Sequence, residues 1–147
     1  AVLARFALGP AEWGVYGIAQ RATDRKGPGT VYTYVIGGKA KAPDFVAYQL
    51  GALLQGVKYD PANVKEGTLL YVSHCVFCHG VPGVDRGGNV PNLGYSPTAA
   101  IENLDKFVFR GPLTEGGMPD YTGKLKPEEV DKIKAFIQGT ADAIRPK

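Results

Sequence analysis

At 147 residues the chain has room for one compact domain with a few dozen residues to spare. An apolar content of 44% supplies a core, 21% charged residues is ordinary for a soluble protein, and no stretch reaches the roughly 18 unbroken apolar residues of a membrane span. A net charge of +3, with no basic run interleaved with aromatics, argues against a nucleic-acid surface, and two neighbouring cysteines argue for a local site instead of a disulfide scaffold.

Residues 1–11 are mildly apolar but have no basic stretch leading into an apolar run, so they are expected to be the start of a mature chain, with no signal peptide. Residues 11–20 (AEWGVYGIAQ) and 30–36 (TVYTYVI) are rich in β-branched and aromatic side chains, and Gly27, Pro28 and Gly29 lie between them. That pattern predicts a β-hairpin, which on its own is marginal in water and needs further support. Gly37, Gly38 and Pro43 mark a boundary, dividing the chain into a β-rich extension (1–42) and a second unit (43–147). Residues 44–54 (DFVAYQLGALL) suit either a short helix starting at Asp44 or an ordered linker.

Beyond Pro61 the periodicity is helical. Over residues 63–74, Val64, Gly67 and Tyr71 recur at spacings of three and four and predict an amphipathic helix running into the cysteines. Residues 97–110 predict a second helix, with Ser96 as N-cap, Pro97 at the first position, Ile101, Leu104 and Val108 on one face, and Gly111-Pro112 as the stop. The last helix starts at Pro127, carries Glu128 and Glu129 in its first turn, buries Val130, Ile133 and Ile137 with Phe136 beside them, and ends at Gly139. Gly-rich loops, 80–95 and 111–123, separate these helices.

Cys75-Val76-Phe77-Cys78-His79 is the C-x-x-C-H signature of covalent c-type haem attachment. Two cysteines three apart on a helical turn present both sulfurs to the vinyl groups of one porphyrin edge, and the adjacent histidine faces the iron. Competing chemistries fit less well. A redox dithiol wants its cysteines at a helix N-terminus, where the dipole lowers the thiol pKa, whereas these follow a helix. A structural zinc needs four ligands, and Cys75, Cys78, His74 and His79 crowd into the six residues 74–79. An inert local disulfide is the remaining alternative. His74 is expected to be a surface residue pointing away from the iron.

The one methionine, Met118, lies in a Gly-rich loop, is followed by Pro119, and falls 39 residues beyond His79 with one helix between. It is therefore the expected sixth ligand. His/Met ligation raises the reduction potential, since a soft thioether favours Fe(II).

Residues 64–137 resemble class I cytochromes c. The resemblance implies a mainly α fold of three main helices around one haem, here with the β-hairpin-like appendage in front. It implies that Gly67 lets the last helix cross closely, that Tyr71 packs at that crossing with Phe136 as its counterpart, and that the Pro91 carbonyl accepts the His79 ring N–H. The strings GVDRGGNVPNL (83–93), GGMPDYTGKL (116–125) and FIQGTADAIRPK (136–147) are further similar to the cytochrome domain of type II quinohaemoprotein alcohol dehydrogenases. In those enzymes a propeller carrying pyrroloquinoline quinone (PQQ) and calcium oxidises an alcohol and passes electrons to a C-terminal haem domain. Residues 1–42 would then be the last propeller strands plus linker. A propeller takes about 40–50 residues per blade, so the quinone-binding domain is expected to lie outside this chain. By the same resemblance Arg86 pairs with a haem propionate, where otherwise it is simply solvated.

The expected function is single-electron transfer from a PQQ-dependent dehydrogenase domain to a downstream copper protein or cytochrome, with no catalysis by this chain. A free-standing cytochrome shuttle is the alternative. A haem enzyme or gas sensor with a displaceable Met118 and a thiol oxidoreductase are the other classes weighed. Bacterial haem attachment occurs outside the cytoplasm, which implies a periplasmic location.

Overall fold

The computed structural model describes residues 3–7, 30–34, 36–39, 41, 50–84 and 90–146. Two strands, Leu3–Ala7 (β1) and Thr30–Tyr34 (β2), pair antiparallel with Leu3 opposite Tyr34 and Ala7 opposite Thr30. β2 coincides with the strand expected over 30–36. The segment expected to pair with it, 11–20, lies outside the described residues, and the partner seen is the opening of the chain. Composition marks a segment as strand-like but leaves the choice of partner to non-local packing.

The helical part rests on two helices. Val64–His74 (α1) follows a single 3-10 turn at Pro61–Asn63, whose entry is capped by the Asp60 carboxylate accepting the Ala62 N–H at 2.9 Å. Pro127–Ile144 (α5) opens with proline at its first position, and the Glu129 carboxylate accepts the Lys126 N–H at 2.8 Å, half of a capping box. Where α1 crosses α5, Gly67 sits against the Lys132 carbonyl so closely that a Cβ on Gly67 would lie 1.9 Å from that oxygen. Tyr71 is fully buried at the same crossing, its ring 5.0 Å from that of Phe136 at 49°. Val130, Ile133 and Ile137 of α5 are buried too, each contributing about 1.5–3 kcal/mol of burial. Glu66 and Lys132 form an exposed ion pair at the edge of the crossing.

α5 does not stop at Gly139; it continues to Ile144. Gly139 faces Val64 and Tyr59, with Val64 Cγ2 3.2 Å from where its Cβ would be, so it is a packing position on a continuing helix and no C-cap. Ala141 beyond it is fully buried. The helix ends at Arg145, which is extended ahead of Pro146, a residue that disfavours helical backbone in front of it.

The helix expected over 97–110 is two short ones, Thr98–Glu102 (α3) and Asp105–Val108 (α4). Between them Asn103 leaves helical geometry, and its amide donates to the Ala99 carbonyl at 2.8 Å, the local competition with the backbone that makes asparagine a poor helix interior. Pro97 is extended and is itself the N-cap, and Ser96 supplies no cap. The apolar face survives the break, with Ile101, Leu104 and Val108 all buried. α4 ends before Gly111, at Phe109 and a positive-φ Arg110 (φ 50°).

Residues 50–60 contain no helix, and residues 44–49 of the undecided segment lie outside the described residues. Leu54 and Val57 are buried, held by the buried Gln138 of α5, whose amide accepts the Val57 N–H at 3.1 Å and donates to the Leu54 carbonyl at 3.4 Å.

Gly67→Ala tests the helix crossing. Helix propensity alone would add up to about 1 kcal/mol of stability. Overpacking against backbone costs about 1–3 kcal/mol or more, so the urea midpoint is expected to fall, not rise. An unchanged or raised midpoint would show that the crossing can relax.

Candidate haem site

α1 ends at His74, and Cys75 breaks its geometry (φ −122°, ψ −37°) before a single further turn, Val76–His79 (α2), completes the motif. The turn closes through the His79 and Cys78 N–H groups, which donate to the Cys75 carbonyl at 2.9 and 3.2 Å. Gly80 then takes φ 67°, turning the chain immediately after His79, and the Tyr71 hydroxyl donates to the Gly80 carbonyl at 2.8 Å. The helix crossing is thereby bonded directly to the end of the motif.

His79 Nδ1 lies 2.7 Å from the Pro91 carbonyl. A carbonyl can only accept, so Nδ1 carries the proton and Nε2 keeps its lone pair. Burial pushes the histidine pKa below its ordinary value, and the bond to Pro91 opposes this only in part. The ring is neutral near pH 7, the form that binds iron. Burial, with a smaller contribution from neighbouring Cys78, pushes the Cys75 thiol up to about 12. A thiol so resistant to ionisation is a poor redox nucleophile.

Met118 is carried by a chain of tight turns after α4. Gly111 fits only without a Cβ, which would lie 2.4 Å from the Lys106 carbonyl oxygen. Thr114, Gly116 and Gly117 N–H groups donate back to Gly111, Leu113 and Thr114, and the Met118 N–H donates to the Leu113 carbonyl at 3.1 Å. Beyond Met118 the loop is tied down twice. The Asp120 carboxylate accepts the Arg110 and Thr122 N–H groups at 3.0 and 2.8 Å, bridging the two ends of the loop and holding the positive-φ Arg110. The Tyr121 N–H donates to the Val108 carbonyl at 2.9 Å, while its hydroxyl donates to the His74 carbonyl at 2.6 Å. Hydrogen bonds from Thr122, then from Arg110, keep the Asp120 carboxyl below the usual carboxylate range.

Cys75, Cys78, His79 and Met118 all line one cleft of about 470 Å³, its open mouth included. Leu93, Leu104, Val108, Leu125 and Ile133 give it an apolar lining, and Pro119 and Tyr121 complete it beside Met118. Two thiols, an imidazole with a free Nε2 and a thioether, set around an apolar slot, fit an iron porphyrin. Among the described residues no three His, Cys, Asp or Glu side chains converge as a metal-ion site. His74 is exposed, but it also lines the cleft and meets Tyr121 edge-on at 5.5 Å. Arg86 lies outside the described residues.

Known proteins share this outline. Residues 62–137 match the family model described as Cytochrome C oxidase, cbb3-type, subunit III. The chain belongs to this cytochrome c family. Membership implies a covalently bound haem c and a role in electron transfer. This cytochrome c domain is 69% identical to the quinohemoprotein alcohol dehydrogenase of Comamonas testosteroni over 134 residues, 91% of this chain and 19% of that protein. It is 64% identical to the 1-butanol dehydrogenase (cytochrome c) of Thauera butanivorans, again over 91% of this chain and 19% of the relative. The crystal structure of the Comamonas enzyme superposes with a TM-score of 0.77 at 67% identity, covering 90% of this chain and 19% of that one. The chain therefore spans about a fifth of the length of these relatives. No helix among the described residues is long and apolar enough to cross a membrane.

Reading by motif missed Tyr121, Asp120 and the buried Asn92. Asp120 had a detectable signal, since an Asp two residues before a Thr in a Gly-rich loop is suited to an Asx-type turn. Tyr121 had none, because its partner His74 is 47 residues away. Asp120→Ala is expected to speed amide exchange at Arg110 and Thr122, and Asp120→Asn to leave both slow, because the side-chain amide oxygen accepts the same two bonds. Equal acceleration in both variants would assign the loop's order to charge instead of hydrogen bonding.

Proposed function

We propose that this chain is the haem-bearing electron-transfer domain of a quinohaemoprotein alcohol dehydrogenase. In this reading residues 43–147 adopt a class I cytochrome c fold, and residues 1–42 belong with the last strands of a PQQ- and calcium-carrying propeller plus its linker. The observation that carries it is the gathering of Cys75, Cys78, His79 and Met118 around one apolar cleft, in a chain whose similarity to the Comamonas enzyme runs over nearly its whole length. That extent favours a domain over a free-standing shuttle, because it includes residues in front of the haem-binding part.

Cys75 and Cys78 would hold the porphyrin through thioethers, and the one C-x-x-C-H in the sequence sets one haem per chain. His79 would hold the iron through Nε2, with its ring oriented by Pro91, and Met118 would supply a second donor. Haem bound there provides a one-electron Fe(II)/Fe(III) couple. With His79 and Met118 both holding the iron, the chain would relay electrons while the alcohol is oxidised elsewhere. The buried lining of Leu93, Leu104 and Ile133 would keep water from the haem and, with the thioether, favour its reduced state. Arg86 would meet a propionate, the acceptor downstream would be a copper protein or another cytochrome, and the site of action would be the periplasm.

The mass of the chain matured by a c-type haem attachment system is expected to exceed the polypeptide by one haem, and its visible absorbance to survive denaturation. A mass equal to the bare polypeptide would sink the proposal. Met118→Ala is expected to keep the covalent haem but let the reduced protein bind carbon monoxide rapidly, and the parent is expected to bind it slowly. Equally fast binding by the parent would favour a gas-binding role.

A further inference from the structure

Asn92 is 3% exposed, and both ends of its amide are hydrogen-bonded. Its oxygen accepts the Gly83 and Gly94 N–H groups, both at 2.9 Å, and its nitrogen donates to the Val81 carbonyl at 2.8 Å. These bonds join two stretches of chain that touch backbone to backbone, since a Cβ on Gly94 would lie 2.0 Å from the Gly83 nitrogen. The Tyr95 hydroxyl adds a bond to the Gly83 carbonyl at 2.7 Å, and the Leu54 N–H fixes the Gly94 carbonyl at 2.8 Å.

One of the two stretches begins immediately after His79. The other carries Pro91, whose carbonyl meets His79 Nδ1. The Pro91 carbonyl and the Asn92 nitrogen belong to one planar peptide unit. Locking Asn92 therefore fixes the direction in which the Pro91 oxygen points, while its bonds to Val81 and Gly83 fix the chain leaving His79. The three bonds need an acceptor and a donor on one short side chain: aspartate cannot donate to Val81 and would bury a charge, and leucine makes none.

We propose that Asn92 is a positioning residue for His79, acting through the Pro91 carbonyl. It sets the length and direction of the Nδ1–H bond and, on the functional reading above, the donor strength of Nε2 toward iron and hence the reduction potential.

Gln138 is the control. It is equally buried and also makes three amide hydrogen bonds, to Val57, Leu54 and Asp142. Asn92→Ala and Gln138→Ala should both lower the unfolding midpoint. Only Asn92→Ala should move the His79 Nδ1–H proton resonance, speed its exchange with solvent roughly tenfold, and shift the midpoint potential. Should Asn92→Ala not fold, Asn92→Ser keeps a hydroxyl acceptor for the Gly94 N–H and should move the same resonance in the same direction by less. The proposal is overturned if resonance, exchange and potential in the Asn92 variant match the parent or move no more than in Gln138→Ala. The resonance and exchange report on the Nδ1–H bond itself, whatever Nε2 binds. A parent chain lacking covalent haem would thus defeat the functional reading while the displacement at His79 still decides the role of Asn92.

Discussion

The closeness of α1 to α5 is the constraint on which the site depends. Because Gly67 has no side chain, the α1 backbone can rest on the Lys132 carbonyl. That contact sets where Tyr71 lies, and the Tyr71 hydroxyl reaches past the end of α1 to hold Gly80. The C-x-x-C-H turn is thus bracketed between a helix crossing and a hydrogen bond that the same crossing positions. Apolar burial along Val130, Ile133 and Ile137 supplies the cohesion. The ion pairs are partly exposed and contribute little, as such pairs do.

The two donors suggested for iron are held by different means. The backbone around His79 is stitched by short-range hydrogen bonds from Asn92, Tyr95 and Tyr71 to the turn that follows it. Met118 sits on a run of glycine turns whose ends Asp120 and Tyr121 tie to α4 and to the last carbonyl of α1. Tyr121 thereby links the two halves: it touches the loop that bears the thioether and the helix that leads into the cysteines. A disturbance of that hydroxyl would be felt on both walls of the cleft.

Local signals announced the parts of this molecule governed by local physics. The 3.6-residue period from Val64 to Tyr71, the proline and acidic residues opening α5, and the buried stripe beyond them could be read directly. The cysteine motif fixed the class of cofactor. What escaped the sequence was decided by contacts far along the chain. Gly139 has the composition of a helix stop, and only its position against Val64 and Tyr59 shows that it is a clearance inside a longer helix. Asn103 interrupts the segment between Pro97 and Arg110 because its side chain competes for a backbone carbonyl, while the apolar pattern runs on through the break. The residue paired with β2 is likewise a non-local choice. Asn92 sits in plain view in a Pro-Asn-Leu-Gly string that suits a turn, yet its ties to Val81 and Gly83 depend on a fold that brings the two stretches together.

The seam between Gly83 and Gly94 has a consequence for how this domain can vary. A Cβ on Gly94 would lie 2.0 Å from the Gly83 nitrogen, and the Asn92 oxygen accepts N–H groups from both sides of the same contact. A side chain added at Gly94 would pry the two stretches apart and carry the neighbouring Pro91 carbonyl with them. The surroundings of His79 are therefore guarded by a position whose only tolerable side chain is none.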